Sequence, residues 1–124
     1  MSTEAEVRRL ALGLPEAYED LHRGKPTFRV NKRIFCMLRA PERRPRSGAG
    51  MFAALEADRP VALLKLERED QLNLIAGYPG AVTPAEYAHH GWTHVWLDAT
   101  DEVTLALVIR LAWVCVAPKR LSKA

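Results

Sequence analysis

The feature that most constrains the fold is a strand-like run, residues 91–98, that leads into the long apolar segment 103–116. Asp101 offers a cap between them, and apolar residues in the second segment recur at helical spacing. Side chains of an extended strand alternate between two faces, so Val95 and Leu97 share one face. We expect that face to pack on the helix and to form the centre of the hydrophobic core.

Length and composition predict one soluble domain. The chain has 124 residues, of which 48% are hydrophobic and 27% charged, and a chain of this size forms one core without disulfide or metal support. Residues 1–124 are therefore expected to form a single domain, with a loop insertion at 40–58. The longest apolar run is shorter than the about 20 residues that span a bilayer, and no secretion signal is recognisable, which predicts a cytoplasmic protein without membrane contact.

Periodicity and turn residues predict the order α-β-β-β-α-β-α. Helices are expected at 3–12, 68–76 and 101–116, and strands at 27–30, 33–38, 60–66 and 92–97, with a less regular strand at 51–55. Asn31 and Lys32 form a two-residue connection that fits a tight hairpin. Residues 16–26 and 78–91 are interpreted as loops, the second with one helical turn at 84–87.

The positive charge is concentrated in one stretch. The net charge is +3, but residues 23–46 hold nine Lys or Arg and one Glu, which gives +8 there and leaves −5 for the rest. Such asymmetry attracts polyanions. The cations that could follow a nucleic-acid backbone from the hairpin and the next loop are Arg29, Lys32, Arg33, Arg43, Arg44 and Arg46. The alternative is a solvated basic face with no nucleic-acid partner.

The second face of the 91–98 strand carries Trp92, His94 and Trp96. These side chains are interpreted as a partly exposed aromatic ladder that stacks on a base or on a partner's side chain. The alternative is that residues 78–90 or the N-terminal segment cover this face and the indoles serve as packing, since Trp is usually well buried. The sequence leaves both interpretations open.

The last helix has a second apolar stripe beside the one that faces the core. Leu107, Leu111 and Val114 recur at i, i+4 and i+7, and a helix that is apolar nearly all round must be covered on both sides. Either residues 50–58 fold over this stripe, or a second copy of the chain packs there as a homodimer.

Chemistry-bearing motifs are sparse. His89, His90 and His94 invite a metal interpretation, but a zinc site needs at least three convergent protein ligands, and neither a Cys-x-x-Cys nor a His-Glu-x-x-His motif is present. Cys36 and Cys115 lie inside apolar runs, where free cysteine behaves as a small hydrophobe. We therefore expect no catalytic residues, no metal and no cofactor.

Several short segments, in this order and spacing, resemble one family of small bacterial proteins. The segments are Leu12-Gly13-Leu14-Pro15-Glu16-Ala17, Phe28-Arg29-Val30 with Ile34-Phe35, Leu64-Lys65-Leu66, Gly91-Trp92 with Val95 and Leu97-Asp98, and Ala112-Trp113 with Val116-Ala117-Pro118-Lys119-Arg120. Together they resemble the MmcQ/YjbR family. The resemblance implies an α+β domain with an antiparallel sheet flanked by helices, of the CyaY-like or secretion-chaperone-like kind. It also implies DNA binding through a double-wing arrangement, although fold alone does not establish function.

These observations predict a non-enzymatic binding module with DNA as its leading partner. The alternative is a module that binds a protein or a small ligand on the face of Trp92, His94 and Trp96, with the last helix used for self-association.

Overall fold

The computed structural model describes residues 2–22, 24–39 and 60–122. The helices are α1 (Glu4–Leu12), α2 (Arg68–Gly77), α3 (Glu102–Val116) and α4 (Lys119–Ser122). The strands are β1 (Tyr18–His22), β2 (Lys25–Val30), β3 (Arg33–Arg39), β4 (Val61–Lys65), β5 (Val82–Pro84) and β6 (Trp92–Trp96). Short 3-10 turns lie at Ala88–His90 and Leu97–Ala99. The α+β class predicted from the sequence is confirmed.

The described strands form one antiparallel sheet in the order β1-β2-β3-β4-β6-β5. β4 and β6 are therefore neighbours in its interior, although α2 and β5 separate them in the chain. β1 and β5 form the two edges. None of the helices in this described part is long and apolar enough to cross a membrane.

The β2–β3 hairpin turns at the two residues predicted for it. Asn31 and Lys32 have φ values of 51° and 66°, and two positive φ angles are the mark of a type I′ turn, whose twist matches that of the strands. Further along, Phe28 pairs with Cys36 and Arg29 with Ile34, which leaves Phe35 as an extra residue. This β-bulge turns Phe35 to the same side as Cys36, and both are fully buried.

One face of the sheet carries the core. α1, α2 and α3 pack on this side, which we call the covered face; its buried apolar side chains include Val7, Ala11, Phe28, Phe35, Leu64, Leu74, Val95, Leu105 and Trp113. The opposite side bears Met37, Leu63, Lys65, Trp92, His94 and Trp96, as the register and alternation require. We call it the helix-free face, because the helices of the described residues bury their apolar side chains on the other side.

Side-chain caps start α1 and α3 where the sequence predicted them. Thr3 Oγ1 accepts a hydrogen bond from the backbone N–H of Glu6 at 3.2 Å. At the start of α3, Asp101 Oδ1 accepts from the backbone N–H of Thr104 at 2.7 Å. That hydrogen bond, with a further one from the Thr104 side chain, lowers the pKa of the Asp101 carboxyl.

Four elements differ from the sequence prediction. β1 lies in a segment predicted to be irregular; it is an edge strand exposed along most of its length, so it shows no apolar alternation. β5 is a three-residue edge strand that ends at Pro84, where a missing N–H is tolerated. The helical turn expected at 84–87 lies later, at Ala88–His90, and α4 adds one more turn after Pro118. The insertion at 40–58 and the strand at 51–55 lie outside the described residues.

Candidate functional site

β6 divides its side chains between two environments. Val95 is fully buried on the covered face, whereas Trp92 and His94 are partly exposed on the helix-free face. Trp96 also belongs to the helix-free face, but only 6% of it is exposed. Its Nε1 donates to Thr83 Oγ1 at 2.8 Å, and its ring meets the His94 ring edge-on at 5.5 Å. The packing interpretation therefore fits Trp96, whereas Trp92 and His94 keep part of their surface exposed.

The backbone at the start of β6 is held by α2 and β4. Gly91 has φ +94°, and a Cβ atom at this position would lie 2.1 Å from the carbonyl oxygen of Leu66. The Leu66 N–H donates to the Gly91 carbonyl at 2.9 Å. From α2, the buried Gln71 Nε2 donates to the Trp92 carbonyl at 3.1 Å and to Thr93 Oγ1 at 3.0 Å. These contacts fix the direction in which the Trp92 indole leaves the strand.

Lys65 is the direct cross-strand neighbour of Trp92. Its Nζ lies 5.3 Å from the centroid of the indole ring, which is within the range of a cation–π contact. Sequence analysis did not find this pair, because the two residues are far apart in the chain and only the β4–β6 register brings them together. A β4–β6 pairing in the predicted topology would have revealed it.

Three cations close to the β2–β3 turn differ in their hydrogen bonds and ion pairs. Arg29 is engaged: its Nη1 donates to the Lys32 carbonyl at 3.1 Å, and its Nε lies 3.3 Å from Asp20 Oδ2. Lys32 and Arg33 are exposed, and within the described residues their side chains have no ion pair or hydrogen bond. Arg29 thus braces the turn, while Lys32 and Arg33 point their charge to solvent. Arg43, Arg44 and Arg46 lie outside the described residues.

Register places these groups at one end of the sheet. Cys36 lies opposite Leu64, and Lys65 lies opposite Trp92, so the start of β3, the end of β4 and the start of β6 coincide. Neighbouring strands are about 4.8 Å apart, and β4 alone separates β3 from β6, so these two backbones are about 10 Å apart. We call this region the basic end; it comprises Lys32, Arg33, Lys65 and Trp92. Alternation assigns Arg33, opposite the buried Val30, to the covered side, and Lys65 and Trp92 to the other side.

Three arginines on the helical side of the molecule are paired with carboxylates, whereas Arg110 of α3 is exposed without an ion pair among the described residues. Arg8 contacts Glu19 at 2.9 Å, Arg9 contacts Glu102, and Arg120 contacts Glu16 at 2.9 Å. The last pair lowers the pKa of the Glu16 carboxyl and raises that of the Arg120 guanidinium, chiefly through their hydrogen bonds. These charges are balanced locally, in contrast to those of Lys32 and Arg33.

Comparison with known proteins places this arrangement in a family. The YjbR family model matches residues 12–115. The chain belongs to the YjbR family. The crystal structure of the Deinococcus radiodurans protein DR2400, which has the domain DUF419, matches with a TM-score of 0.71 and 18% sequence identity, covering 99% of this chain and 87% of that one. This likeness supports the fold alone. No match was found among curated proteins.

The three histidines considered as metal ligands in this YjbR-family chain lie on two elements. His89 and His90 are exposed in the 3-10 turn before β6, with ring centroids 4.1 Å apart, and Tyr87 lies beside them. His94 is on the helix-free face of β6. Within residues 2–22, 24–39 and 60–122, no group of three His, Cys, Asp or Glu side chains is close enough to hold a metal ion.

Burial keeps both cysteine thiols protonated. Desolvation raises the pKa of the fully buried Cys36 to about 12. At Cys115, which is partly buried, desolvation and the nearby Glu67 carboxylate raise the pKa to about 11. A thiolate is the reactive form of cysteine, so neither residue has the environment of a nucleophile.

The second stripe of α3 is at the surface of the described molecule. Leu107 is 45% and Val114 is 41% exposed, while Leu111 is partly buried against the core. Val103, which sequence analysis did not include, is 81% exposed and extends the stripe by one turn. Its spacing of four residues from Leu107 was the signal that would have identified it.

Proposed function

We propose that this YjbR-family chain is a non-enzymatic DNA-binding protein that contacts phosphates through the basic end of its sheet. The observation that supports it is the contrast between cations: Lys32 and Arg33 are exposed at the hairpin turn without a carboxylate partner among the described residues, whereas Arg8, Arg9 and Arg120 are paired. Phosphate contacts of this kind set the position on DNA and do not read sequence.

The hairpin geometry suits such a contact. The type I′ turn fixes the backbone of Lys32, and Arg29 ties the turn to β1 through Asp20. Less conformational freedom is then lost when the two cations bind phosphates. Arg43, Arg44 and Arg46 are proposed to add cations to the same contact from the sequence that follows β3.

The salt dependence of DNA binding tests this proposal. Each phosphate contact contributes about −0.9 to the slope of log K against log salt concentration. Replacing Lys32 and Arg33 by Ala should therefore reduce the slope by about 1.8 and weaken binding at low salt, as measured by fluorescence anisotropy with a labelled duplex. The matched control replaces Arg9 and Arg120 by Ala, which removes the same formal charge from paired sites and should change the slope little. Equal effects of both double variants, or no binding by the wild type at low salt, would contradict the proposal.

A second candidate is a binding site for a protein or a planar small ligand on the helix-free face. It is favoured by the partial exposure of Trp92 and His94 on a side of the sheet that no helix of the described residues covers. Acrylamide quenching of tryptophan emission tests access to this face. Trp96 and Trp113 are buried, so the quenchable emission should vanish in Trp92→Phe. If wild-type emission resists acrylamide in the folded chain, this candidate is wrong.

We also propose that α3 mediates self-association, because Val103, Leu107 and Val114 form an exposed apolar stripe along one side of it. Substitution of Leu107 and Val114 by Glu should convert a dimer to a folded monomer in sedimentation velocity. Leu72→Glu, at a 52% exposed leucine of α2, is the control and should leave the dimer intact. A wild type that sediments as a monomer at high concentration would rule out this proposal.

A further inference from the structure

The helix-free face carries more positive than negative charge. Among the described strand residues that alternation and register assign to this face, Lys25, Arg29 and Lys65 are cationic, and Asp20 is the acid, held by Arg29. The neighbouring Glu19 belongs to the covered face, where Arg8 of α1 binds it. The described strand residues of the helix-free face therefore carry a net positive charge, which suits an anionic ligand.

The same face also offers an aromatic surface. Trp92 is partly exposed and held in place by Gln71 of α2 through its own backbone carbonyl. Lys65 Nζ lies 5.3 Å from its ring centroid. A ligand that fits this pair has a flat ring to stack on the indole and an anionic group to accept from the ammonium. A nucleotide has both, and base–aromatic stacking with backbone cations is how single strands are bound without sequence preference.

We infer that Trp92 and Lys65 form a base-stacking subsite that makes single-stranded DNA the preferred ligand; the inference rests on the proposed DNA contact of Lys32 and Arg33. A paired base inside a duplex cannot present its ring face to the indole. Phosphate contacts alone would not favour a single strand, whose charge is less dense than that of a duplex. A preference for single strands therefore isolates the contribution of Trp92.

The basic end has the dimensions for one continuous strand. The backbones of β3 and β6 are about 10 Å apart across β4, and Lys32 lies in the turn just beyond the row of Lys65 and Trp92, so a stretch of a few nucleotides reaches from Lys32 to the indole. Lys65, on the intervening strand, lies beside the path between them. His94 follows Trp92 on the same face, where it can flank the next base.

Paired anisotropy titrations test the inference, with labelled oligothymidylate and a labelled duplex of equal length at one salt concentration. We expect the wild type to bind the single strand more tightly. Trp92→Leu should weaken single-strand binding about tenfold, corresponding to about 1.4 kcal/mol, and should weaken duplex binding much less, whereas Trp92→Phe should retain most of the single-strand affinity. Oligothymidylate should also quench wild-type tryptophan emission, and this quenching should be lost in Trp92→Leu, because Trp96 and Trp113 are buried.

The outcomes separate this inference from the proposed function. If Lys32→Ala with Arg33→Ala weakens binding but Trp92→Leu does not, the stacking subsite is wrong and the phosphate contact stands. If a Trp92→Leu protein with a wild-type circular dichroism spectrum binds both DNA forms equally poorly, the indole has a general role and the inference is also wrong. If neither form of DNA binds, both proposals fail, and the protein or small-ligand candidate for this face remains.

Discussion

The two faces of the sheet are formed by the same strands but differ in how deeply their side chains are buried. On β4, Leu64 is fully buried under the helices, while its neighbour Leu63 is partly exposed on the other side. On β6, Val95 and His94 differ in the same way. The covered face requires apolar side chains of fixed volume, and the helix-free face accepts cations, imidazole and indole. Stability and the chemistry of the exposed surface can therefore be changed separately along one strand.

The largest loss of stability should come from substitution of Gly91, the residue that precedes β6. Gly91→Ala places a Cβ atom 2.1 Å from the Leu66 carbonyl oxygen at φ +94°. Steric overlap with backbone and the left-handed conformation should together lower the free energy of unfolding by about 4 kcal/mol. Urea unfolding monitored by circular dichroism measures this.

Gly80→Ala is the matched control for that substitution. Gly80 has φ +86°, but a Cβ atom added there would have no other atom within 4 Å, so only the conformational cost of about 1 kcal/mol applies. Equal losses in the two variants would show that the close approach of Gly91 to Leu66 has no energetic importance.

The same substitution at adjacent leucines of β4 should have different costs on the two faces. Leu64→Ala should cost about 3 kcal/mol, because it leaves a cavity in the core. Leu63→Ala should cost about 1 kcal/mol, since part of its side chain is already in contact with solvent. Both values come from urea unfolding. A loss at Leu63 as large as that at Leu64 would mean that the helix-free face is packed like a core.

The smallest expected change in stability concerns Asp101, the N-cap of α3. The pKa of Asp101 is held below its ordinary value, mainly by the Thr104 backbone N–H. Its carboxylate therefore stabilises the fold at pH values above that ordinary value, and the stabilisation is lost as the pH falls through the lowered pKa. Asp101→Ala should be less stable than the wild type at pH 7, and the difference should shrink as the pH is lowered from about 5 to 2.

Asp101→Asn separates capping from charge in this experiment. An amide oxygen still accepts from the Thr104 N–H but does not titrate. The difference in stability between the Asn and Ala variants should therefore be constant with pH. A wild-type advantage over Asp101→Ala that persists unchanged at pH 2 would contradict the role given to the carboxylate.

Local patterns are sufficient to predict the elements that face the core. Leu105, Val108 and Ile109 repeat at helical spacing and belong to α3, and the Asn31-Lys32 turn forms as its composition indicates. Periodicity does not reveal β1, because both of its sides are largely exposed at an edge and its sequence contains no alternation to detect. Interpretation from periodicity is limited to elements that bury one side.

Pairings between distant residues account for most of what the sequence leaves undetermined at the site. Alternation places Trp92 and Trp96 on the same face of the sheet. Trp96, however, donates a hydrogen bond to Thr83 of β5 and is a packing residue. Periodicity assigns Lys65 to a strand, and only the β4–β6 register gives it the indole of Trp92 as a neighbour. The charge pattern groups Arg29 with the exposed hairpin cations, but Asp20 of the unpredicted strand β1 binds it.

At Lys32 the backbone conformation and the side-chain charge favour different residues. Its φ of 66° is one that glycine adopts without strain and that costs other residues about 1 kcal/mol. Lys32→Gly should therefore raise the urea midpoint while removing an exposed cation from the turn. A selection for thermal stability alone would be expected to remove this lysine, and a selection for nucleic-acid binding would be expected to retain it.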